Sequence, residues 1–262
     1  MNNITLPSPH KILQVVHETN AEYTFRVACD DQVDHGQFYV LSIPKIGEAP
    51  ISVSAQGPGY VEFTIRKVGR LTDGIFGMEQ GDTLFMRGPY GNAFPVESFK
   101  GKDLVVFAGG TGLAPVRSML QYFCSHPKEV SSVHVVAGFK DRSCVLFEKD
   151  LEQFKSVFHT IYTLDNTKAP GFETGFVPSF AKEIPFDTFS DYNVVIVGPP
   201  VMINLTAKEC VKLGVPEEKI WVSFERKMSC SVGKCGHCKI NETYVCLEGP
   251  VFNYVKAKEL LD

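Results

Sequence analysis

The sequence predicts a β-rich first part, an α/β second part built on a parallel sheet, and a short cysteine-rich end. Three observations predict it. Residues 10 to 65 carry short β-branched and aromatic runs divided by turn residues. From about Lys102, apolar strands alternate with helical stretches. After Phe224 that rhythm stops, and four cysteines fall between positions 230 and 246.

In the first part the expected strands are HKILQVVHE, YTFRVAC, GQFYVLSI, PISVSA and YVEFTI, with Asp30, Asp31, Gly47, Gly57 and Gly59 at the turns. Strands at this spacing indicate an antiparallel barrel or sandwich. Ser52 offers a hydroxyl among apolar neighbours on APISVS, Ala49–Ser54. In IRKVGRLTDGIF, Thr72 is the expected N-cap of a helix, behind Arg66, Lys67 and Arg70. Such a helix start suits a pyrophosphate, although a capped helix with solvated charges has the same pattern. The turn-rich GDTLFMRGPYGNAF, Gly81–Phe94, is placed to close a barrel.

The second part reads as DLVVFA, VHVVAG, VFHTIYTL, NVVIVG and KIWVSF, with helices over Leu113–Cys124 and Val201–Leu213. That alternation signals βαβ units. DLVVFAGGTGLAPVRSML is a strand, a glycine loop (Gly109, Gly110, Thr111, Gly112) and a helix with Pro115 in its first turn. Such a helix start presents backbone N–H groups to a pyrophosphate. A second strand ends in Gly198-Pro199-Pro200 before Met202. Two such turns on one parallel sheet form a crevice at the strand C-termini, where ligands bind in these folds.

Cys230, Cys235, Cys238 and Cys246 have the spacing C-x4-C-x2-C-x7-C. This is the spacing of plant-type [2Fe–2S] ligands. A structural zinc site with four thiolates is the alternative. Gly233 and Gly236 can supply the backbone angles of a tight ligand loop, and His237 reads as a solvated loop residue. Cys29, Cys124, Cys144 and Cys210 are scattered and read as small buried hydrophobes.

Composition narrows the function classes. The chain has 262 residues, which at roughly 150 per domain means about two domains. Its net charge of −4 disfavours a nucleic-acid binder. No run approaches the ~20 apolar residues of a membrane span, and Met1–Lys11 has no apolar signal core. The expectation is a cytoplasmic protein with no nucleic-acid partner and no membrane insertion. Around the cysteines, Arg226, Lys227, Lys234 and Lys239 outnumber Glu225, an excess that can steer an acidic partner or be an ordinary solvated loop.

APISVS, VG-x-x-T, GD-x-L-x-x-x-GPYG, GGTG-x-AP and GPP-x-M occur in that order, followed by CSVGKCGHC and YVCLEGPVFNY. This set resembles the ferredoxin–NADP reductase superfamily. Within it, the set is similar to the electron-transfer subunits of anaerobic sulfite reductases, and near those of dihydroorotate dehydrogenases and sulfhydrogenases. The resemblance implies an N-terminal Greek-key barrel (1–100) for FAD, a Rossmann-like α/β domain (101–222) for NAD(P)H, and a small [2Fe–2S] domain (223–262). It places Pro50, Ile51, Ser52 and Val53 along the isoalloxazine, with Ser52 near N5 as the catalytic position. It places Gly69 to Thr72 at the FAD pyrophosphate, and Gly109 to Gly112 with Gly198, Pro199 and Met202 at the nucleotide.

The implied activity is hydride transfer from NADH to flavin, then single-electron transfer through the cluster to a sirohaem-containing sulfite reductase subunit, with a further iron–sulfur subunit as another possible partner. Two positions depart from the pattern. The family's Arg-x-Tyr-Ser element reads Ala49, Ile51 and Ser52 here, which leaves Arg66 or Arg70 to supply charge at the pyrophosphate. Val197 stands where many relatives have a cysteine, so no catalytic thiol carries over. Lys140 and Arg142 suit a 2′-phosphate, whereas Asp141 between them favours NADH. The non-enzyme alternative is a zinc-stabilised binding module.

Overall fold

The structure is a computed structural model and describes residues 5–260. Met1–Ile4, part of the polar N-terminal stretch, lie outside the described residues, as do Leu261 and Asp262. The chain divides into two compact units. One holds the chain up to Ala93 together with Glu225–Pro250, and the other holds Phe94–Phe224 together with the chain from Val251 on.

The first unit is a closed antiparallel barrel. Its strands are β1 (Ser8–His17), β2 (Glu22–Ala28), β3 (Phe38–Ile43), β4 (Gly47–Gly57), β5 (Tyr60–Arg66) and β6 (Thr83–Tyr90), in the order β1-β2-β5-β4-β3-β6. The GDTLFMRGPYG segment closes it, since β6 pairs with both β1 and β3. Phe25, Tyr39, Phe63 and Leu84 fill its interior. Burying a ring of this kind contributes about 2 kcal/mol, so these side chains carry much of the barrel's stability. A short helix, α1 (Arg70–Phe76), follows β5.

The second unit begins with α2 (Val96–Phe99) and continues through β7 (Asp103–Gly109), α3 (Leu113–Ser125), β8 (Ser132–Phe139), α4 (Glu148–Val157), β9 (His159–Leu164), β10 (Glu173–Thr174), β11 (Tyr192–Val197), α5 (Pro200–Lys212) and β12 (Ile220–Ser223). The sheet order is β10-β9-β8-β7-β11-β12, all parallel. Strands such as DLVVFA and NVVIVG read as unbroken apolar runs because helices cover both faces of such a sheet. The order reverses direction between β7 and β11. That switch point opens a crevice at the strand C-termini.

The cysteine region contributes the hairpin β13 (Lys239–Ile240) and β14 (Thr243–Tyr244), then α6 (Val245–Glu248), all in the first unit. The chain then enters the second unit, where β15 (Val251–Asn253) pairs antiparallel with β12 and α7 (Tyr254–Ala257) follows. Neither α4 nor β15 is among the elements expected from sequence. No helix among the described residues is long and apolar enough to cross a membrane.

Candidate functional site

At the switch point of the second unit, the two predicted turns meet. A Cβ on Gly112 would lie 2.5 Å from the Val197 carbonyl oxygen and 2.7 Å from Gly198 Cα, and one on Gly109 would lie 2.4 Å from Met202 Sδ. Glycine is therefore required at Gly112 by the closeness of a neighbouring backbone. Gly110 and Thr111 form the single turn between β7 and α3, and Pro199 stands as N-cap before α5. Val197 ends β11, buried. The Cys210 thiol, inside α5, is pushed up to about 12 by burial and is chemically quiet.

Beyond β8, the Asp141 carboxyl is held below its usual range by hydrogen bonds from the Ser143 hydroxyl and amide. Arg142 is engaged by Glu148. Lys140 is exposed.

In the barrel, Pro50, Ile51, Ser52 and Val53 lie mid-way along β4, with Ser52 and Val53 buried. Next along β4, Ser54 accepts from the Thr64 hydroxyl at 2.9 Å, and Thr24 lies 2.9 Å from Thr64. The helix start after β5 differs from expectation. Gly69, not Thr72, is the N-cap of α1. Thr72 sits one turn in, and its hydroxyl reaches back to accept from the amides of Val68 (2.9 Å) and Gly69 (3.0 Å). The extended backbone at Gly69 leaves those two amides pointing inward, where a third-position hydroxyl can satisfy them. Of the two candidate arginines, Arg66 is bound to Glu22 at 2.9 Å, whereas Arg70 is exposed at the first turn of α1.

The cysteine loop is organised around its sulfurs. Cys230 Sγ accepts from the amides of Val232 (3.5 Å), Lys234 (3.2 Å) and Cys235 (3.4 Å), and Cys246 Sγ accepts from Gly233 (3.3 Å). Gly233 and Gly236 both adopt positive φ, as the loop reading requires. The Cys235 thiol neighbours that of Cys230, and the Cys246 thiol neighbours those of Cys238 and Cys230. Backbone hydrogen bonds from Cys230 and His237 bring the Cys235 thiol down to about 7, and burial pushes Cys246 up to about 12. The Ser231 hydroxyl is buried and has no hydrogen-bond partner. Among the described residues, no three His, Cys, Asp or Glu side chains converge on a single metal ion. Four neighbouring thiols, amide donors aimed at two of the sulfurs and an unused buried hydroxyl suit an iron–sulfur cluster.

Two barrel residues that sequence reasoning missed hold this loop. Arg87 on β6 donates to the carbonyls of Ser229 and Cys230, and Asn92 donates to those of Glu248 and Gly249. A lone arginine inside the otherwise apolar run TLFMRGPY was the available signal.

Comparison with known proteins agrees with this layout. Residues 106–208 match the oxidoreductase NAD-binding domain, and residues 225–258 match the iron–sulfur cluster binding domain of dihydroorotate dehydrogenase B. The sulfhydrogenase 1 gamma subunit of Pyrococcus furiosus is 34% identical over 96% of this chain and 93% of its own. The chain belongs to the ferredoxin–NADP reductase superfamily. Within it, the probable dihydroorotate dehydrogenase B (NAD(+)) electron transfer subunit of Methanothermobacter thermautotrophicus is 31% identical over 96% of this chain and 91% of its own. A solved NADH-dependent reduced ferredoxin–NADP oxidoreductase, described in connection with flavin-based electron bifurcation, shares the fold with a TM-score of 0.78 at 20% identity, covering 99% of this chain and 94% of that one. Of the expected cofactors, pyridine nucleotide and iron–sulfur cluster correspond to the two matched domains. The chain accordingly carries an oxidoreductase NAD-binding domain and an iron–sulfur cluster binding domain. Sulfite as final acceptor is narrower than these comparisons reach.

Proposed function

We propose that this chain oxidises NADH and supplies single electrons, through FAD and a [2Fe–2S] cluster, to a partner subunit that reduces sulfite to sulfide. A bound flavin would supply two-electron hydride chemistry toward the nicotinamide, and a bound cluster would supply one-electron chemistry toward a partner. The observation that carries the reading is the set of backbone amides aimed at the Cys230 and Cys246 sulfurs within the C-x4-C-x2-C-x7-C loop, a spacing of plant-type [2Fe–2S] ligands.

The chain's own residues bind and orient. Gly109, Gly110, Thr111 and Gly112, with Gly198, Pro199 and Met202, cradle the nucleotide where the two turns meet. The Asp141 carboxylate repels a 2′-phosphate while Glu148 occupies Arg142, which supports NADH over NADPH. Pro50 to Val53 line the isoalloxazine, with Ser52 nearest its reactive nitrogen. Gly69, Arg70 and Thr72 meet the pyrophosphate, with Arg66 held aside by Glu22. On this reading residues 1–100 serve FAD, 101–222 the nucleotide and 223–262 the cluster.

The motifs APISVS, CSVGKCGHC and YVCLEGPVFNY support a sulfite reductase partner. The remaining cysteines, Cys29, Cys124, Cys144 and Cys210, lie far apart in sequence on separate elements, so sulfite chemistry belongs to the partner. A second reading, a sulfhydrogenase or dihydroorotate dehydrogenase partner, is favoured by the 34% and 31% identical relatives.

The test is anaerobic purification from the native host. A protein with flavin and iron–sulfide absorbance, bleached by NADH and accompanied by a subunit that turns sulfite into sulfide, is expected. A different large partner selects the second reading, and a colourless zinc protein removes both.

A further inference from the structure

Arg87 on β6 is only 6% exposed. A guanidinium so placed is costly unless its charge is compensated and its donors are used. It has four partners. Nη1 donates to the Cys230 carbonyl at 2.8 Å and to the Tyr90 hydroxyl at 3.3 Å. Nη2 donates to the Ser229 carbonyl at 2.7 Å and to Glu48 Oε1 at 2.9 Å.

The two carbonyls belong to the peptide planes on either side of Cys230 Cα. Because peptide groups are planar, pinning both fixes the direction in which the Cys230 side chain leaves the backbone. The same sulfur collects three amide contacts, more than the structure gives its neighbour Cys246. The Glu48 carboxylate that faces Arg87 has a side chain 41% exposed, so water screens the anion more than the buried cation. Within its surroundings Arg87 therefore leaves an excess of positive potential beside the first cluster ligand.

We propose that Arg87 is a positioning residue for the iron–sulfur cluster: it orients Cys230 and, as a buried cation, raises the cluster's reduction potential, with Glu48 trimming the effect. The inference rests on the iron–sulfur reading above. One-electron reduction adds one negative charge to the cluster, with no bond made or broken, and a nearby cation stabilises that added charge. The role is not interchangeable with lysine, whose point charge cannot hold two carbonyls and a carboxylate together.

The experiment is a redox titration of the anaerobically purified full-length protein, followed by the EPR signal of the reduced cluster, with iron and sulfide content measured in parallel. Arg87→Gln should lower the one-electron equilibrium constant for cluster reduction at least tenfold, which is about 59 mV. Arg87→Lys should keep the potential nearer the parent's while losing iron and sulfide faster on exposure to a chelator. Should Arg87→Gln fail to fold, Glu48→Gln decides the matter. It removes a half-exposed anion and leaves the cation unopposed, so the potential should rise. A fully loaded Arg87→Gln with the parental potential overturns the inference, as does a Glu48→Gln whose potential is unchanged or lower. A parent protein without iron and sulfide sinks the cluster reading itself, and that result is distinct from either.

Discussion

The two units build their candidate binding positions by different means. In the parallel-sheet unit the positions are backbone: two turns at neighbouring strand ends touch so closely that a single methyl group at Gly112 would strike a carbonyl at 2.5 Å. In the barrel unit they are side chains acting over distance in sequence, such as Arg87 on the Ser229 and Cys230 carbonyls or Glu22 on Arg66. The first kind of site is broken by volume and the second by charge. The contrast teaches that a steric site should tolerate salt and pH while an electrostatic one should not.

The largest expected effect tests the steric side. Gly112→Ala must push Val197 or Gly198 aside, an overpacking that costs about 1–3 kcal/mol. Thermal unfolding should show that loss, and the KM for NADH should rise more than tenfold at low and high salt alike. A variant with the parental KM would mean that the two turns do not hold the nucleotide.

The next effect sharpens the electrostatic side. Arg70→Ala should weaken FAD binding about tenfold, as fluorescence titration of the released flavin would report, and the gap from the parent should shrink as salt is added. Arg66→Ala should weaken it less, because Glu22 already holds that guanidinium. Equal losses from both would break the distinction.

The smallest effect asks whether the sheet unit is as indifferent to pH as its steric site implies. At the N-terminal ends of its strands, His134 stacks on His159 at 4.5 Å and lies tilted to Phe189 at 5.2 Å. Burial, then the neighbouring His159, lowers the His134 pKa to about 4, although Asp103 acts the other way. The folded state thus keeps His134 neutral, while the unfolded chain protonates it below about 6.5. Its contribution is present above pH 6.5 and is lost as pH falls towards 4. Because the ring is partly solvated, that loss is about 1 kcal/mol, or roughly 2–4 °C in Tm. His134→Phe should unfold with less acid sensitivity than the parent. An identical pH profile for the two would remove His134 from the explanation.

What was legible in the sequence follows the same division. The barrel strands, the β6 closure, the two glycine turns and the C-x4-C-x2-C loop are written in short contiguous stretches, where period and spacing are set by local geometry. The partners of Cys230 were not legible, because Arg87 lies 143 residues away and nothing local marks that approach. Thr72 was misread for a subtler reason. Whether a hydroxyl caps the amides ahead of it or behind it depends on where the helix begins, and here the chain turns helical only after Gly69. The helix α4 escaped notice because only Leu151 and Phe154 along it are buried, too short a stripe to stand out.

The division of the chain has a consequence for anyone wishing to trim or recombine this protein. The polypeptide passes from one unit to the other at Ala93–Phe94, at Phe224–Glu225 and again at Pro250–Val251. No single cut can therefore release either half intact. A fragment ending before residue 225 strips the barrel of its cysteine segment, and one ending at Pro250 takes the outermost strand from the sheet. Grafting the cysteine segment onto another scaffold would need two splice points and a host barrel already equipped with counterparts of Arg87 and Asn92.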